Sequence, residues 1–207
     1  FDKDQNPYFA VDVSTVKDPS RIAVIADNAA FEDGRSAAID IPPEQSGILA
    51  QARSNLNWHL QHRFCSFCGS ESQSHRGGLM RECPTCKTQH FPRTDPVVIM
   101  LVYRGNRCVM GQTLGRQSSG FYSCLAGFMD HGESIEEGVR REVMEEAGLP
   151  IGKVTYHSSQ PWPFPSSLMI GCHAEALSEN IEADPGEMAD VRWFTKDEIK
   201  LALENNL

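Results

Sequence analysis

Four cysteines constrain the fold of this chain more than any other residues. Cys65 and Cys68 form one pair and Cys83 and Cys86 a second, with fourteen residues between Cys68 and Cys83. Two such pairs supply four thiolates, the donor set of a tetrahedral Zn²⁺ site. Each pair must bend into a tight knuckle, and the two knuckles must meet. Gly69 after the first pair and Pro84 inside the second suit such bends, and Gly77-Gly78 in the interval suits a hairpin turn. With Cys in all four coordination positions, the expected ion is structural rather than catalytic. A redox dithiol and an iron–sulfur centre are the alternatives. The first usually rests on a single CxxC and the second on other spacings. Cys108, Cys124 and Cys172 lie in apolar, strand-like runs and read as buried thiols in a reducing compartment.

The 207 residues carry a net charge of −9. That balance argues against non-specific binding to duplex nucleic acid, which needs clustered Lys and Arg. It leaves room for a small anionic substrate, because bound cations reverse the local sign. The longest apolar run, Val97 to Tyr103, is strand-sized and far short of the ~20 residues that span a bilayer. No signal peptide is visible, so no membrane partner and a cytoplasmic location are expected. The chain opens on Phe1 rather than Met, so its natural start is expected to lie further upstream.

Along the chain, Arg21–Ile25 reads as a strand and Asp33-Gly34 as a turn. Ile48, Leu49, Ala52 and Leu56 recur at helical spacing, predicting a helix from Glu44 to about His62. His59 and His62 on it read as ordinary packed or surface histidines. Val97–Val102 has the character of a strand buried on both faces. Further strands are expected at Cys108–Gly111, Phe121–Leu125, Val154–His157, Leu168–Ala176 and Val191–Phe194, with a last helix at Lys196–Glu204. The chain divides on this reading into a segment 1–62 ending in a helix, a cysteine module 63–92 and a domain 93–207.

The richest stretch runs from Gly127 to Leu149. Ser134 and Glu137 form a capping box that opens a helix over about 135–147, and Gly148 closes it. Ile135, Val139, Val143 and Ala147 make its buried stripe. Glu142, Glu145 and Glu146 stand at i, i+3 and i+4 and project from neighbouring positions on the surface. Alone, such a cluster is most often a solvated face. A hard cation such as Mg²⁺ or Mn²⁺ would offset the like-charge repulsion and hold substrate phosphates. Arg141 can pair with Glu133 across the loop–helix join, either to hold this geometry or as a plain surface bridge.

Gly127, Glu133, Arg141, Glu142, Val143, Glu145, Glu146, Gly148 and Leu149 resemble the Nudix box at all nine specified positions over 23 residues. The resemblance implies an α+β fold: a Nudix α/β/α sandwich, preceded by a zinc ribbon and a small N-terminal α/β segment. It implies two or three Mg²⁺ or Mn²⁺ ions on Glu142, Glu145 and Glu146, with Glu133 and Arg141 orienting them.

Downstream, Ser159-Gln160-Pro161-Trp162-Pro163-Phe164-Pro165-Ser166-Ser167 must be extended and stiff, because its prolines fix the backbone. By itself it reads as a rigid connection between strands. With the box and the four cysteines before it, it resembles the signature of the NADH pyrophosphatase subfamily. The resemblance implies hydrolysis of NADH, and less well NAD⁺, to nicotinamide mononucleotide and AMP, and possible action on NAD-capped RNA 5′ ends. ADP-ribose hydrolysis and non-catalytic nucleotide sensing are the rival readings. It also implies substrate-binding roles for Gln160, Trp162, Ser167 and Phe128, an additional metal-binding role for Glu187, and a homodimer in which Phe91 reaches the partner's substrate. Members of the subfamily usually continue past the last helix, so the chain ending at Leu207 is expected to be either cropped or shortened there.

Overall fold

Strand β4 (Asp95–Arg104) has neighbours on both edges, but within its apolar run Val97–Val102 only one face is fully buried: Leu101 is exposed and Ile99 half-buried, against the expectation of burial on both faces. Along one edge runs parallel β8 (Ser167–Ala176), in register from Asp95↔Ser167 to Tyr103↔Glu175. Two antiparallel strands share the other edge. β5 (Arg107–Thr113) takes Val102 to Arg104, and β6 (Leu125–Phe128) takes Val97 to Met100. β7 (Ile151–Trp162) extends the sheet beyond β8, and β9 (Met188–Thr195) beyond β5, giving the order β7-β8-β4-β5-β9. This computed structural model describes residues 6–22, 30–115 and 120–205.

The core lies on one face of this mixed sheet. Val98, Met100 and Val102 of β4 are fully buried, as are Val139, Val143 and Ala147 of α3 (Ile135–Ala147). Leu125 and Leu149 belong to the same cluster, and Ile135 packs partly buried against it. Burying a side chain of this size contributes about 1.5–3 kcal/mol, so this layer fixes α3 on the sheet. The helix ends are those expected. The Ser134 hydroxyl accepts from the Glu137 amide while Glu137 accepts from the Ser134 amide, and Gly148 takes a left-handed φ of 64°. α4 (Lys196–Glu204) carries a second capping box, on Thr195 and Glu198.

Two compact units divide the chain: Phe1–Thr94 with Pro161–Ser166, and Asp95–Gln160 with Ser167–Leu207. The first holds α1 (Gly34–Asp40), α2 (Pro43–Gln61) and an antiparallel sheet of β1 (Gln73–His75), β2 (Met80–Glu82) and β3 (Gln89–His90). Buried Arg81 ties α2 to that sheet. It donates to Ser72 Oγ (2.8 Å), to the Ser72 carbonyl (2.6 Å) and to His59 Nδ1 (2.9 Å). His59 Nε2 then donates to the Gly78 carbonyl at 2.8 Å, so His59 is a packed histidine.

Several expectations need correction. Asp33 is not a turn residue but the N-cap of α1, its carboxylate accepting from the amides of Arg35 and Ser36. Arg21 closes a short 3₁₀ helix, Pro19–Arg21, instead of opening a strand. The rest of that expected strand, from residue 23, lies outside the described residues. Among the described residues of the N-terminal segment, the regular elements are this 3₁₀ turn, α1 and α2. In Phe121–Leu125 only a single bridge forms, Ser123 with Gly111, and the strand proper begins at Leu125. Of the three scattered cysteines only Cys172 is buried; Cys108 and Cys124 are half-buried.

Candidate functional site

α3 carries the carboxylates, and Arg141 holds most of them. Its guanidinium grips Glu133 with two bonds, Nε to Oε1 at 2.6 Å and the second nitrogen to Oε2 at 2.9 Å. It also donates to Glu142 Oε1 (2.8 Å), Glu145 Oε2 (3.0 Å) and the Phe128 carbonyl (2.8 Å). One side chain thus joins the loop after β6 to the exposed turn of the helix. Such charge-assisted, bidentate pairing is among the strongest side-chain contacts available. Glu133 also accepts from the Asp130 amide, and Arg141 with this amide holds its carboxyl at about 2, well below the usual range.

Glu146 has none of these partners. It is 7% exposed, and its Oε2 makes no hydrogen bond. Burial, together with the charges of Glu142 and Glu187, pushes its carboxyl up to about 7. Burial likewise raises Glu142, with Glu145 and Glu187 adding to it against the pull of Arg141. A buried carboxylate oxygen without a donor is costly unless something positive arrives. The donor set here is all oxygen and the shortfall is positive charge, which fits a hard divalent cation. Gly127 of β6 makes room for this arrangement. A Cβ there would lie 1.9–2.2 Å from the carboxylate atoms of Glu142. Helical spacing singled out Glu142, Glu145 and Glu146, and the family resemblance added Glu187. The structure places Glu142 and Glu145 on Arg141 and leaves Glu146 off it, with the Ala126 amide on its carboxylate and Oε2 without a donor.

Among the described residues, the four cysteines are the group whose metal-ligand atoms already lie together, all within 4.8 Å of one another. Cys65 and Cys86 sulfurs are 3.6 Å apart, and those of Cys68 and Cys83 3.5 Å. A tetrahedral Zn²⁺ with bonds of about 2.3 Å needs sulfurs about 3.8 Å apart, so the set fits. The Thr88 hydroxyl and amide lower the Cys86 thiol to about 6, favouring the thiolate that a metal takes. His90 Nε2 lies 3.3 Å from Cys65 Sγ, a contact that cysteine spacing gave no reason to expect.

The aromatic candidates are open to solvent. Phe91 is 58% exposed, Phe128 60% and Trp162 40%. Gln160 is exposed on β7, whereas Ser167, at the start of β8, is buried. The stiff segment is strand as far as Trp162 and then turns sharply, the Phe164 amide donating to the Trp162 carbonyl at 2.8 Å. Sequence reasoning missed what holds this turn. Arg53 Nε of α2 donates to the Pro163 carbonyl at 2.9 Å, and Ser54 Oγ to the Pro165 carbonyl at 3.2 Å. No helix among the described residues is long and apolar enough to cross a membrane.

The model of the NUDIX domain matches residues 93–207, that of the NADH pyrophosphatase zinc ribbon domain residues 60–91, and that of the NADH pyrophosphatase-like rudimentary NUDIX domain residues 2–58. The NAD-capped RNA hydrolase NUDT12 of Macaca fascicularis is 46% identical over 173 residues, covering 79% of this chain and 37% of that protein. The NAD(P)H pyrophosphatase NUDT13, mitochondrial, of Homo sapiens is 42% identical over 180 residues, covering 84% and 50%. The chain therefore spans half or less of the length of these relatives. A crystal structure of a NUDIX hydrolase from Nitrosomonas europaea superposes with a TM-score of 0.57 at 25% identity, over 66% of this chain and 79% of that one. With the box on α3, the cysteine ribbon before it and the sandwich sheet beneath, this chain belongs to the Nudix family, in the branch that carries the NADH pyrophosphatase zinc ribbon.

Proposed function

We propose that the chain hydrolyses the diphosphate linkage of NADH and NAD⁺, adding water across the P–O–P bridge to give nicotinamide mononucleotide and AMP. The observation that carries this reading is buried Glu146, its Oε2 without a donor and its neighbours Glu142 and Glu187 negative. The substrate class rests on the branch of the family and on what NUDT12 and NUDT13 are named for. NUDT12 is named for NAD-capped RNA, which supports RNA 5′ ends bearing the same linkage as a second substrate.

Glu142, Glu145, Glu146 and Glu187 would hold two or three Mg²⁺ or Mn²⁺ ions. Bound there, the ions supply positive charge to the diphosphate and acidity to water. The chain's own part is positional and electrostatic. Arg141, bound to Glu133, fixes the height of Glu142 and Glu145 on α3. Glu146 is the carboxylate able to hold a proton at Oε2 near neutral pH. Phe91, Phe128, Gln160, Trp162 and Ser167 take the role of substrate recognition, Phe91 across a homodimer. The cysteine ribbon would hold one structural Zn²⁺. A reducing compartment such as the cytoplasm suits its thiolates, although NUDT13 is named as mitochondrial.

The test is incubation with NADH and Mg²⁺ or Mn²⁺ and identification of products. AMP with reduced nicotinamide mononucleotide is expected, and Glu146→Gln should lower kcat by at least about a hundredfold. ADP-ribose cleaved faster than NADH, or full turnover in that variant, would overturn the reading.

A further inference from the structure

We propose that Arg53 and Ser54 of α2 form a clamp that positions Trp162 and so sets the selectivity of the site. This rests on the dinucleotide reading above, in which Trp162 belongs to the recognition segment. The sequence leaves this segment few backbone donors of its own. Pro161, Pro163 and Pro165 have no N–H, so between residues 161 and 165 only Trp162 and Phe164 can donate. The Phe164 amide is spent on the Trp162 carbonyl. Pro163 is buried, so its carbonyl must find a donor elsewhere, whereas Pro165 is exposed. Arg53 Nε donates to the Pro163 carbonyl at 2.9 Å and Ser54 Oγ to that of Pro165 at 3.2 Å.

The clamp reaches further than the backbone. The Arg53 guanidinium lies 4.7 Å from the centre of the Phe164 ring, and that of Arg35, on α1, lies 5.0 Å from it. Each is within cation–π range. Phe164 in turn packs edge-on against Trp162, with ring centres 5.1 Å apart at 68°. A chain of contacts thus runs from α2 through Phe164 to a tryptophan that stays 40% exposed and free to meet a planar group. All these residues lie within one compact unit. Arg53 and Ser54 belong to the unit that does not hold the glutamate helix, so their effect is expected on recognition and not on the reacting phosphorus.

Arg53→Ala should raise KM for NADH about tenfold and leave kcat within about twofold, with a smaller effect on ADP-ribose, which lacks the second base. Arg53→Lys keeps the charge near Phe164 but loses the Nε donor, and should recover part of the loss. Arg53→Ala and Phe164→Leu act on one chain of contacts, so their effects on KM should not add. An unchanged KM, a fall in kcat alone, or additive effects would overturn the proposal. Hydrogen exchange over residues 160–167 reads the clamp separately from turnover. In Arg53→Ala the protection of the Phe164 amide should fall about tenfold while that of β2 stays as in the wild type. Unchanged protection at Phe164 sinks the clamp even if NADH is hydrolysed. Lost protection in a chain that cleaves no NADH would instead keep the clamp and discard the dinucleotide reading on which its role in selectivity rests.

Discussion

Glu146 and Gly127 show how narrowly single residues are constrained here. Glu146 has a folded carboxyl at about 7 against 4.5 when free. A raised carboxyl holds its proton longer in the folded chain. The penalty is absent below about pH 4.5, grows between 4.5 and 7 as the unfolded chain ionises first, and stays constant above. Without divalent cations, and with zinc retained, Glu146→Gln should therefore be more stable than the wild type at pH 8, by on the order of 2 kcal/mol after allowing for solvent screening. Near pH 4.5 the gain should vanish. Thermal unfolding at both pH values checks this, and a gain independent of pH would refute it. Gly127→Ala offers the complementary case. Its Cβ would collide with the Glu142 carboxylate, pushing it off Arg141. Activity at saturating Mg²⁺ should drop by at least about tenfold, with the circular dichroism of the sheet preserved. The glutamates were legible as a set from helical spacing. That Glu146, alone of these three, stays off Arg141 was not, because it depends on where that guanidinium points.

At the level of elements, the local signals worked where an element is built from its own sequence. α3 begins and ends where Ser134, Glu137 and Gly148 say, and α4 spans the expected Lys196–Glu204. They failed where partners decide. Phe121–Leu125 has strand composition, yet before Leu125 only Ser123 forms a strand bridge, since β6 reaches β4 from Leu125 onward. Asp33 looked like half of a turn because Asp-Gly serves both purposes; its carboxylate caps α1 instead. The ribbon β1-β2-β3 has strands of only two or three residues, too short to persist without its knuckles joined. Removing zinc with a chelator should therefore expose the amides of residues 63–92 to exchange. The knuckle amides of Cys65 and Cys83, which donate to Ser70 and Thr88 at 2.8 and 3.0 Å, should lose protection first. Persistent protection there would mean that the strands hold the ribbon without a metal.

Across the whole molecule, the sequence hid one relation that the structure makes plain. Residues 161–166 belong with the unit built from 1–94, although some 110 positions separate Arg53 from Pro163. No periodicity or motif reports a bond at that separation. Charge, in contrast, is a whole-chain property the sequence states outright. With a net −9, an anionic dinucleotide meets a repulsive surface unless cations are bound. Cation binding should then be coupled to protons. Below pH 7 the folded chain carries a proton on Glu146 that a cation must displace, so apparent affinity should fall about tenfold per pH unit between 7 and 5. A ligand at a hundred times its Kd stabilises the folded state by about 2.7 kcal/mol. For a chain of this size that is a rise of several degrees in the melting temperature. At one fixed Mn²⁺ concentration near that excess, the rise should be full at pH 8 and nearly gone at pH 5. Glu146→Gln has no such proton to give up, so whatever shift it retains should not change with pH over that range. An equal Mn²⁺ shift at both pH values in the wild type would place the cation away from Glu146 and remove the reason for its burial.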